Sequence, residues 1–358
     1  MEEKTPLIRV VKNENLSKTK IWCIRLSAFV VAILLGCLIF VICGANPIAA
    51  YGEIIKGAIG KSTGIKQTIK IATPLLGAAL ALGLCFKMKY WNCGAEGQIT
   101  MGALGAAFFA INFGTKLPSI PLLLLMCVGG VVCGAVWGLI PALFKSRWNT
   151  NETLFTLMLN YIAIGIVAWL QGGPWEGKPG SQIVPNFPKA AVLPKVMGIQ
   201  CGWILIILLV FVMFFYMNFT KQGYEIAVLG ESENTARYAG MNVGKVIIRT
   251  AAISGGICGL VGFMVASGVN QTIYSGIAGG VGFTAITVAW LAQLNPFAMT
   301  VIAFLLAVLS KGSSALQTAM GVPSSVSEII KGILLLCLLG CEFFINYKMI
   351  LRSKKEAK

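Results

Sequence analysis

The sequence predicts an all-α polytopic membrane protein of about ten transmembrane helices, with both termini cytoplasmic and with inverted repeats (spans 2–5 and 7–10) interrupted by Gly-rich helix breaks. Three observations lead there. The chain is 57% hydrophobic and only 12% charged, about half the charged fraction of soluble domains. Its apolar residues gather in runs long enough for a helix to cross the hydrocarbon core, about 20 residues each. Its basic residues gather at the ends of those runs, roughly twice as many on segments predicted inside as on those predicted outside.

Taken in order, residues 1–25 form a basic cytoplasmic tail with Lys4, Arg9, Lys12, Lys18, Lys20 and Arg25. The following apolar run lacks a small-residue cleavage site, so it reads as an uncleaved first span, about Leu26–Ala45. The transmembrane domain is predicted over 26–347. Segment 47–70 interleaves Lys56, Lys61, Lys66 and Lys70 with isoleucines, a pattern for an external amphipathic helix or pair of helices. Span 2 covers 71–86 and stops at Lys87-Met88-Lys89. A break at Trp91–Gln98 precedes span 3, which ends near Phe113. Spans 4 and 5 follow, over about 118–147 and 153–170. A Pro/Gly-rich external loop, 172–201, leads to span 6 (202–219). The polar segment 221–249 is predicted cytoplasmic, because Lys221, Arg237, Lys245 and Arg249 punctuate it. Within it, 224–242 reads as one short surface helix with an apolar side. Span 7 (250–269) meets the Gly-rich stretch 275–283, and span 8 ends near Asn295-Pro296. Span 9 is 297–310, 311–325 is a connector, span 10 is 326–347, and a basic cytoplasmic tail occupies 348–358. Spans 2–3 and 7–8 repeat one pattern, helix, Gly-rich break, helix, in opposite orientations, which is the mark of inverted repeats.

Composition removes several kinds of chemistry. There is no histidine, and all 13 acidic residues are glutamates. A Ser-His-Asp triad and His-ligated zinc are therefore unavailable to this chain. No phosphate-binding loop of the form G-x-x-x-x-G-K-[ST] occurs, so the chain is not expected to hydrolyse ATP on its own. The 11 cysteines lie mostly in apolar runs without CxxC pairs, as small packing residues do. The net charge of +16 is spread over span ends, where anionic headgroups account for it without nucleic acid. Glycines at 102, 105, 129, 130, 134, 255, 256 and 259 predict close packing among spans 3, 4 and 7.

The breaks are where function is expected, since helix ends at membrane depth expose unpaired backbone groups that are tolerable only beside protein or water. Asn92, Glu96 and Gln98 stand at the first break, Asn160 and Tyr161 in span 5, and Gln271, Phe283, Trp290 and Gln293 around the second. An amide set with aromatics suits a neutral ligand carrying planar rings and hydroxyls. Any one of these amides reads equally as an interhelical hydrogen bond, worth about 1 kcal/mol. Glu96 is costlier to bury, and it reads either as a path residue or as a cap on span 3, where the helix dipole favours an acid.

Five stretches carry a resemblance: WNCGAEGQITMGAL (91–104), NETLFTLMLNYIA (151–163), GGPW…NFPKAAVLP (172–194), ENTARYAGMNV (233–243) and GFTAITVAWLAQLNP (282–296). Together they resemble permease subunits of bacterial ABC importers in the branched-chain amino acid and simple-sugar group. The nearer match is its nucleoside (guanosine-type) branch, which works with a basic-membrane-protein type binding lipoprotein. The resemblance implies a multi-pass subunit of the bacterial cytoplasmic membrane, paired with a second homologous permease as a heterodimer. It implies separate ATPase subunits that consume the ATP, with no cofactor bound by this chain. It also implies that 224–242 is the coupling helix, with Glu231, Asn234, Ala236, Arg237 and Gly240 on the motif positions. Two departures stand out: Cys93 where isoleucine is common, and an unusually acidic Glu231-Ser232-Glu233, which would tune the fit to the ATPase surface.

The expected function is thus nucleoside translocation driven by partner ATPases, without chemistry on the substrate. The same architecture also serves simple sugars or branched-chain amino acids. A cation-coupled secondary transporter is the reading from another class, and it needs a titratable carboxylate in the path, for which Glu96 and Glu342 are the candidates.

Overall fold

A computed structural model describes residues 8–12 and 17–351. The outer parts of both predicted basic tails, 1–7, 13–16 and 352–358, lie outside the described residues, as does the side chain of Glu342. In chain order, strand β1 (Ile8–Lys12) is followed by α1 (Lys18–Ile42), α2 (Pro47–Ile59), α3 (Ser62–Lys87), α4 (Ala95–Phe113), α5 (Ser119–Trp148) and α6 (Glu152–Gln171). A loop then carries the two-residue strands β2 (Lys195–Val196) and β3 (Ile199–Gln200). Next come α7 (Gly202–Phe219), α8 (Lys221–Glu231), α9 (Glu233–Tyr238) and α10 (Val243–Met264), which continues as a π-helical turn over Val265–Asn270. The chain ends with α11 (Val281–Leu291), α12 (Pro296–Met320), α13 (Ser324–Asn346) and β4 (Tyr347–Leu351). Among the described residues, six helices are long and apolar enough to cross a membrane: α3, α5, α6, α7, α10 with its π turn, and α12. The bent pair α1–α2 makes a seventh if it is one span.

The chain divides into two compact units, 1–61 with 308–358, and 62–307. In the first, β1 pairs antiparallel with β4, Ile8 opposite Leu351 and Lys12 opposite Tyr347, so the two ends of the chain meet. Helices α1 and α2 are bent by 109°. The corner is made by Gly44 at φ 74° and by Asn46, whose side chain accepts the Ile48 N–H at 3.0 Å and caps α2. Phe40, Ala50, Ile54, Leu316, Val322, Val326 and Ile330 form this unit's core. Segment 47–70, read from sequence as one amphipathic stretch, divides at Gly60-Lys61, and its second half belongs to α3. The stretch read as a connector, 311–325, is helical as far as Met320. Its hydroxyl residues turn back on their own helix, Ser313 to the Leu309 carbonyl at 2.6 Å and Thr318 to that of Ser314 at 3.0 Å. A polar sequence thereby stays helical.

The second unit is built around α3 and α10. In each, 78% of the most apolar window is buried, against 22% in α5 and 28% in α6 and α7. Helix α5 shows how sequence produces this layering. Leu124, Val128, Val132 and Val136, spaced by four, point outward and are more than half exposed, as a lipid-facing stripe must be. On another face Gly130, Gly134 and Gly138, also spaced by four, meet Ala251, Gly255 and Gly259 of α10 in antiparallel order. A side-chain carbon at Gly138 would lie 2.9 Å from the Ala251 carbonyl oxygen, and one at Gly130 3.1 Å from that of Gly259. Gly102 and Gly105 of α4 press on Gly259 and Gly129 in the same way. Three backbones thus touch without side chains between them, which is how helices associate where lipid removes the hydrophobic drive.

The seam makes graded expectations. Gly134→Val should lower stability by about 1–3 kcal/mol or abolish folding, because overpacking cannot relax against backbone. Gly256→Ala should stay within about 0.5 kcal/mol, since its new carbon would come no nearer than 3.4 Å to any neighbour, the closest being Val131 Cγ1. Thermal melting of the purified protein in detergent distinguishes the two.

Candidate substrate path and coupling face

The first break lies between Lys87 and Ala95. Asn92 folds it into a turn: its Oδ1 accepts the Gly94 N–H at 2.9 Å. The Asn92 and Gln98 amides pair with each other, Nδ2 to Oε1 at 3.4 Å and Nε2 to Oδ1 at 3.3 Å. Helix α6 clamps the same turn from the side with two residues one helical turn apart. Thr156 Oγ1 accepts the Cys93 N–H at 3.1 Å. Asn160 donates to the Cys93 carbonyl at 2.9 Å and accepts the Gly97 N–H at 2.8 Å, capping α4. Gly97 has to be glycine here, for a side-chain carbon would sit 2.9 Å from Asn160 Cα. Asn92, Gln98 and Asn160 are each about 2% exposed or less, and each is satisfied.

The second break begins where α10 loosens into its π turn. Gln271 then takes the left-handed conformation, φ 56°, and the chain returns through Gly279 and Gly280, at φ 59° and 76°, into α11. The two breaks meet at one carboxylate. Glu96, in the first turn of α4 and 6% exposed, accepts the Gly280 N–H on Oε1 at 2.7 Å and the Gly282 N–H on Oε2 at 2.8 Å. It therefore lies at the start of its own helix and at the start of α11 together, where two dipoles favour negative charge.

Sequence-selected residues divide accordingly. Asn92, Glu96, Gln98 and Asn160 come together. Trp290, at the C-terminal end of α11, stacks on Trp91, ring centroids 5.3 Å apart and planes 18° apart. Gln271 offers its carbonyl to the Phe187 N–H at 2.7 Å. Tyr161, Phe283 and Gln293 are not in the cluster; they are exposed, Tyr161 by 68%. Thr156 and Trp91 were not selected from sequence. The four-residue spacing of Thr156 and Asn160 was a usable signal for the first, and nothing local marked the second.

Loop 172–200 closes over the far end of α10. The Ser267 hydroxyl donates to the Ala191 carbonyl at 2.5 Å and the Thr272 hydroxyl to that of Val184 at 3.0 Å. The Gln171 side chain accepts the Ser275 N–H at 2.9 Å. Beside these bonds the loop borders an open hollow of about 380 Å³ between Trp175, Asn186, Phe187 and Ile111.

The polar segment forms two helices, α8 and α9, where one was expected. Ser232, extended at φ −156° and ψ 125°, ends the first and caps the second, its hydroxyl accepting the Thr235 N–H at 3.3 Å. Helix α8 buries Gly223, Ile226, Leu229 and Gly230, and Arg249 of α10 holds Glu225 at 2.8 Å. Gly230 lies against the Lys87 carbonyl, and Lys89 Nζ reaches the Glu231 carbonyl at 3.4 Å. The segment thus touches the first break directly. In α9 only Ala236 is buried. Glu231, Asn234, Arg237 and Gly240 are exposed, Arg237 pairing with Glu233 at 2.7 Å.

Six helices long and apolar enough to cross a membrane, two Gly-rich breaks joined through one acid, and a pair of polar helices resting on a break describe a multi-pass membrane protein. Among the described residues no group of three His, Cys, Asp or Glu could hold a metal. The family described as "Branched-chain amino acid transport system / permease component" matches residues 64–339, and the chain belongs to it: it is an ABC importer permease, whose family works with ATPases and paired permeases. The glucose ABC transporter permease TsgB13 of Haloferax volcanii is 31% identical over 89% of this chain and 87% of its own length. The guanosine permease NupP of Bacillus subtilis is 28% identical over 93% and 97%. The nucleoside permease NupB of Lactococcus lactis subsp. cremoris is 27% identical over 94% and 93%.

Removing the shared carboxylate should be costly. Glu96→Ala leaves the Gly280 and Gly282 N–H groups unpaired, an expected loss of about 2–5 kcal/mol, and Glu96→Gln, which keeps one acceptor, about half of that. Gln293→Ala, in the exposed turn, should melt within a degree or two of the parent. An alanine variant at 96 that melts with the parent would contradict the pairing.

Proposed function

We propose that this chain is one half of the transmembrane channel of a nucleoside importer in a bacterial cytoplasmic membrane. A second, dissimilar permease supplies the other half, ATPase subunits the drive, and a binding lipoprotein the delivery. The observation that carries the transport reading is segment 271–291, in which a Gly-rich non-helical stretch leads into a short apolar helix. Its helix α11 has 11 residues and reaches only about 16 Å at 1.5 Å per residue, half a hydrocarbon core. Its Gly-rich approach therefore lies at membrane depth, where non-helical backbone is tolerable only beside protein or water. The guanosine and nucleoside permeases among the relatives favour a nucleoside. The glucose permease, of slightly higher identity, keeps a simple sugar as the second reading.

In this reading the chain crosses about ten times with both ends inside, as the basic residues of 221–249 and the meeting of β1 with β4 support. The pairs α3–α4 and α10–α11 are the broken helices of two inverted repeats. Asn92, Glu96, Gln98, Asn160 and Gln271 hold the breaks in shape. Trp290 and Phe283 border the path, with Tyr161 and Gln293 on the surface the second permease covers. Glu231, Asn234, Arg237 and Gly240 face the ATPase, and Ala236 anchors α9 beneath them. No cofactor binds this chain; ATP is used by the partner.

Uptake by proteoliposomes holding the complete complex tests this. Guanosine should accumulate only with ATP inside and the ATPase present. Accumulation of glucose in place of guanosine would favour the sugar, and guanosine uptake abolished by a protonophore while ATP persists would favour ion coupling. Reversing Glu231 and Glu233 to lysine should weaken co-purification of the ATPase several-fold, and unchanged association would remove those acids from the interface.

A further inference from the structure

Trp91, Trp290 and Phe86 come from three separate places: the first break, the end of α11 and the last turn of α3. Phe86 is 3% exposed and touches both indoles, with centroids 5.9 Å from Trp91 and 5.6 Å from Trp290. It is a fixed base. The indoles stack on each other at 5.3 Å, and Trp91 remains 45% exposed.

The exposure of that ring does not read as lipid contact alone. Trp290 belongs to the outward edge of α11, which also carries Phe283 and Thr287, while Gly282, Ala285, Val288 and Ala289 are buried. At the other end of α11, about 16 Å away along the helix, this edge starts from a stretch of non-helical backbone in which Gly276 and Gly279 are exposed. Such backbone borders water or protein at membrane depth. Lys89, two residues before Trp91, bonds the Glu231 carbonyl at 3.4 Å, so α8 touches the same turn that carries the indole.

Resting on the nucleoside reading, we infer that Trp91 and Trp290 form a stacking platform that receives the nucleobase during transit, Trp91 presenting its free area to the ring. A purine would extend the existing stack as a third member, using its π-face and needing no charged partner. Stacking on an aromatic side chain contributes about 1–3 kcal/mol per base. The platform also gives α8 a direct handle on the ligand, since its movement would tilt Trp91 against Trp290.

The experiment uses the complete transporter in proteoliposomes, with a photoreactive azidoguanosine and with guanosine uptake. In the wild-type complex the label should attach to peptides containing Trp91 or Trp290, and excess guanosine should prevent it. Trp91→Leu should reduce guanosine uptake about tenfold, the equivalent of 1.4 kcal/mol, and Trp91→Phe should restore most of it. If the wild type carries guanosine but the label attaches elsewhere, the platform is overturned and Trp91 is only an interfacial anchor. Leucine and wild-type complexes that transport equally overturn it too. Should the leucine variant fail to assemble, labelling of the wild type decides alone. A wild-type complex that carries glucose and no nucleoside defeats the functional reading first, and the platform falls with it.

Discussion

One carboxylate joins the two broken helices. Glu96 lies at the N-terminal turn of α4 and accepts the Gly280 and Gly282 N–H groups, which open α11. An acid in the apolar layer is expensive, by several kcal/mol. It persists because two charge-assisted bonds and two helix N-termini converge on it. Only glycine lets the partners come this close: a side-chain carbon at Gly282 would lie 2.7 Å from Glu96 Cα. Acid and glycines are therefore one device, and neither has a use without the other.

The rest of the second unit extends from that point. The Gly130, Gly134 and Gly138 stripe draws α5 against α10, which places the π turn and the Gly-rich return beside α4. Asn160 and Thr156 hold the first break against α6. On its other side the break carries Gly230 and Glu231 of the polar segment. From Gly230 through Lys87 and Lys89 to Trp91, Asn92 and Glu96, each contact is to a neighbour in chain or in space. Gly230 and Glu231 thus rest on a short turn whose own polar groups are hydrogen-bonded. Buried polar groups that are fully satisfied fix one arrangement of such a turn, because none can move without leaving a partner unpaired.

Sequence made part of this legible. Much of the glycine seam was legible from the small residues of spans 3, 4 and 7, although Gly138, which meets Ala251, was not among those selected. Both breaks were visible as glycine clusters flanked by apolar runs, and Glu96 was visible as an acid at a helix start. Its second helix was not, because that partner lies 184–186 positions away and leaves no periodic trace. Asn160 looked like a path residue, yet it is consumed by the Cys93 carbonyl and the Gly97 N–H. Tyr161, its neighbour, turns outward because adjacent positions on a helix face about 100° apart. The split between α8 and α9 was hidden because the Ser232 hydroxyl can cap α9 only once its backbone has turned extended, which composition does not display. Helix through 311–320 was hidden for the converse reason: serine and threonine read as loop until their hydroxyls find carbonyls of their own helix.

The most direct measurement is amide hydrogen exchange, resolved to single residues, on the complete transporter in lipid nanodiscs. If Glu96 pins a half-helix beside water, the Gly280 and Gly282 amides exchange slowly while the nearby Gly276 amide exchanges fast. Replacing Glu96 by alanine should then release the first two and leave the third unchanged. Gly280 and Gly282 exchanging as fast as Gly276 in the wild type, or staying slow without the carboxylate, would contradict the joint between the two breaks.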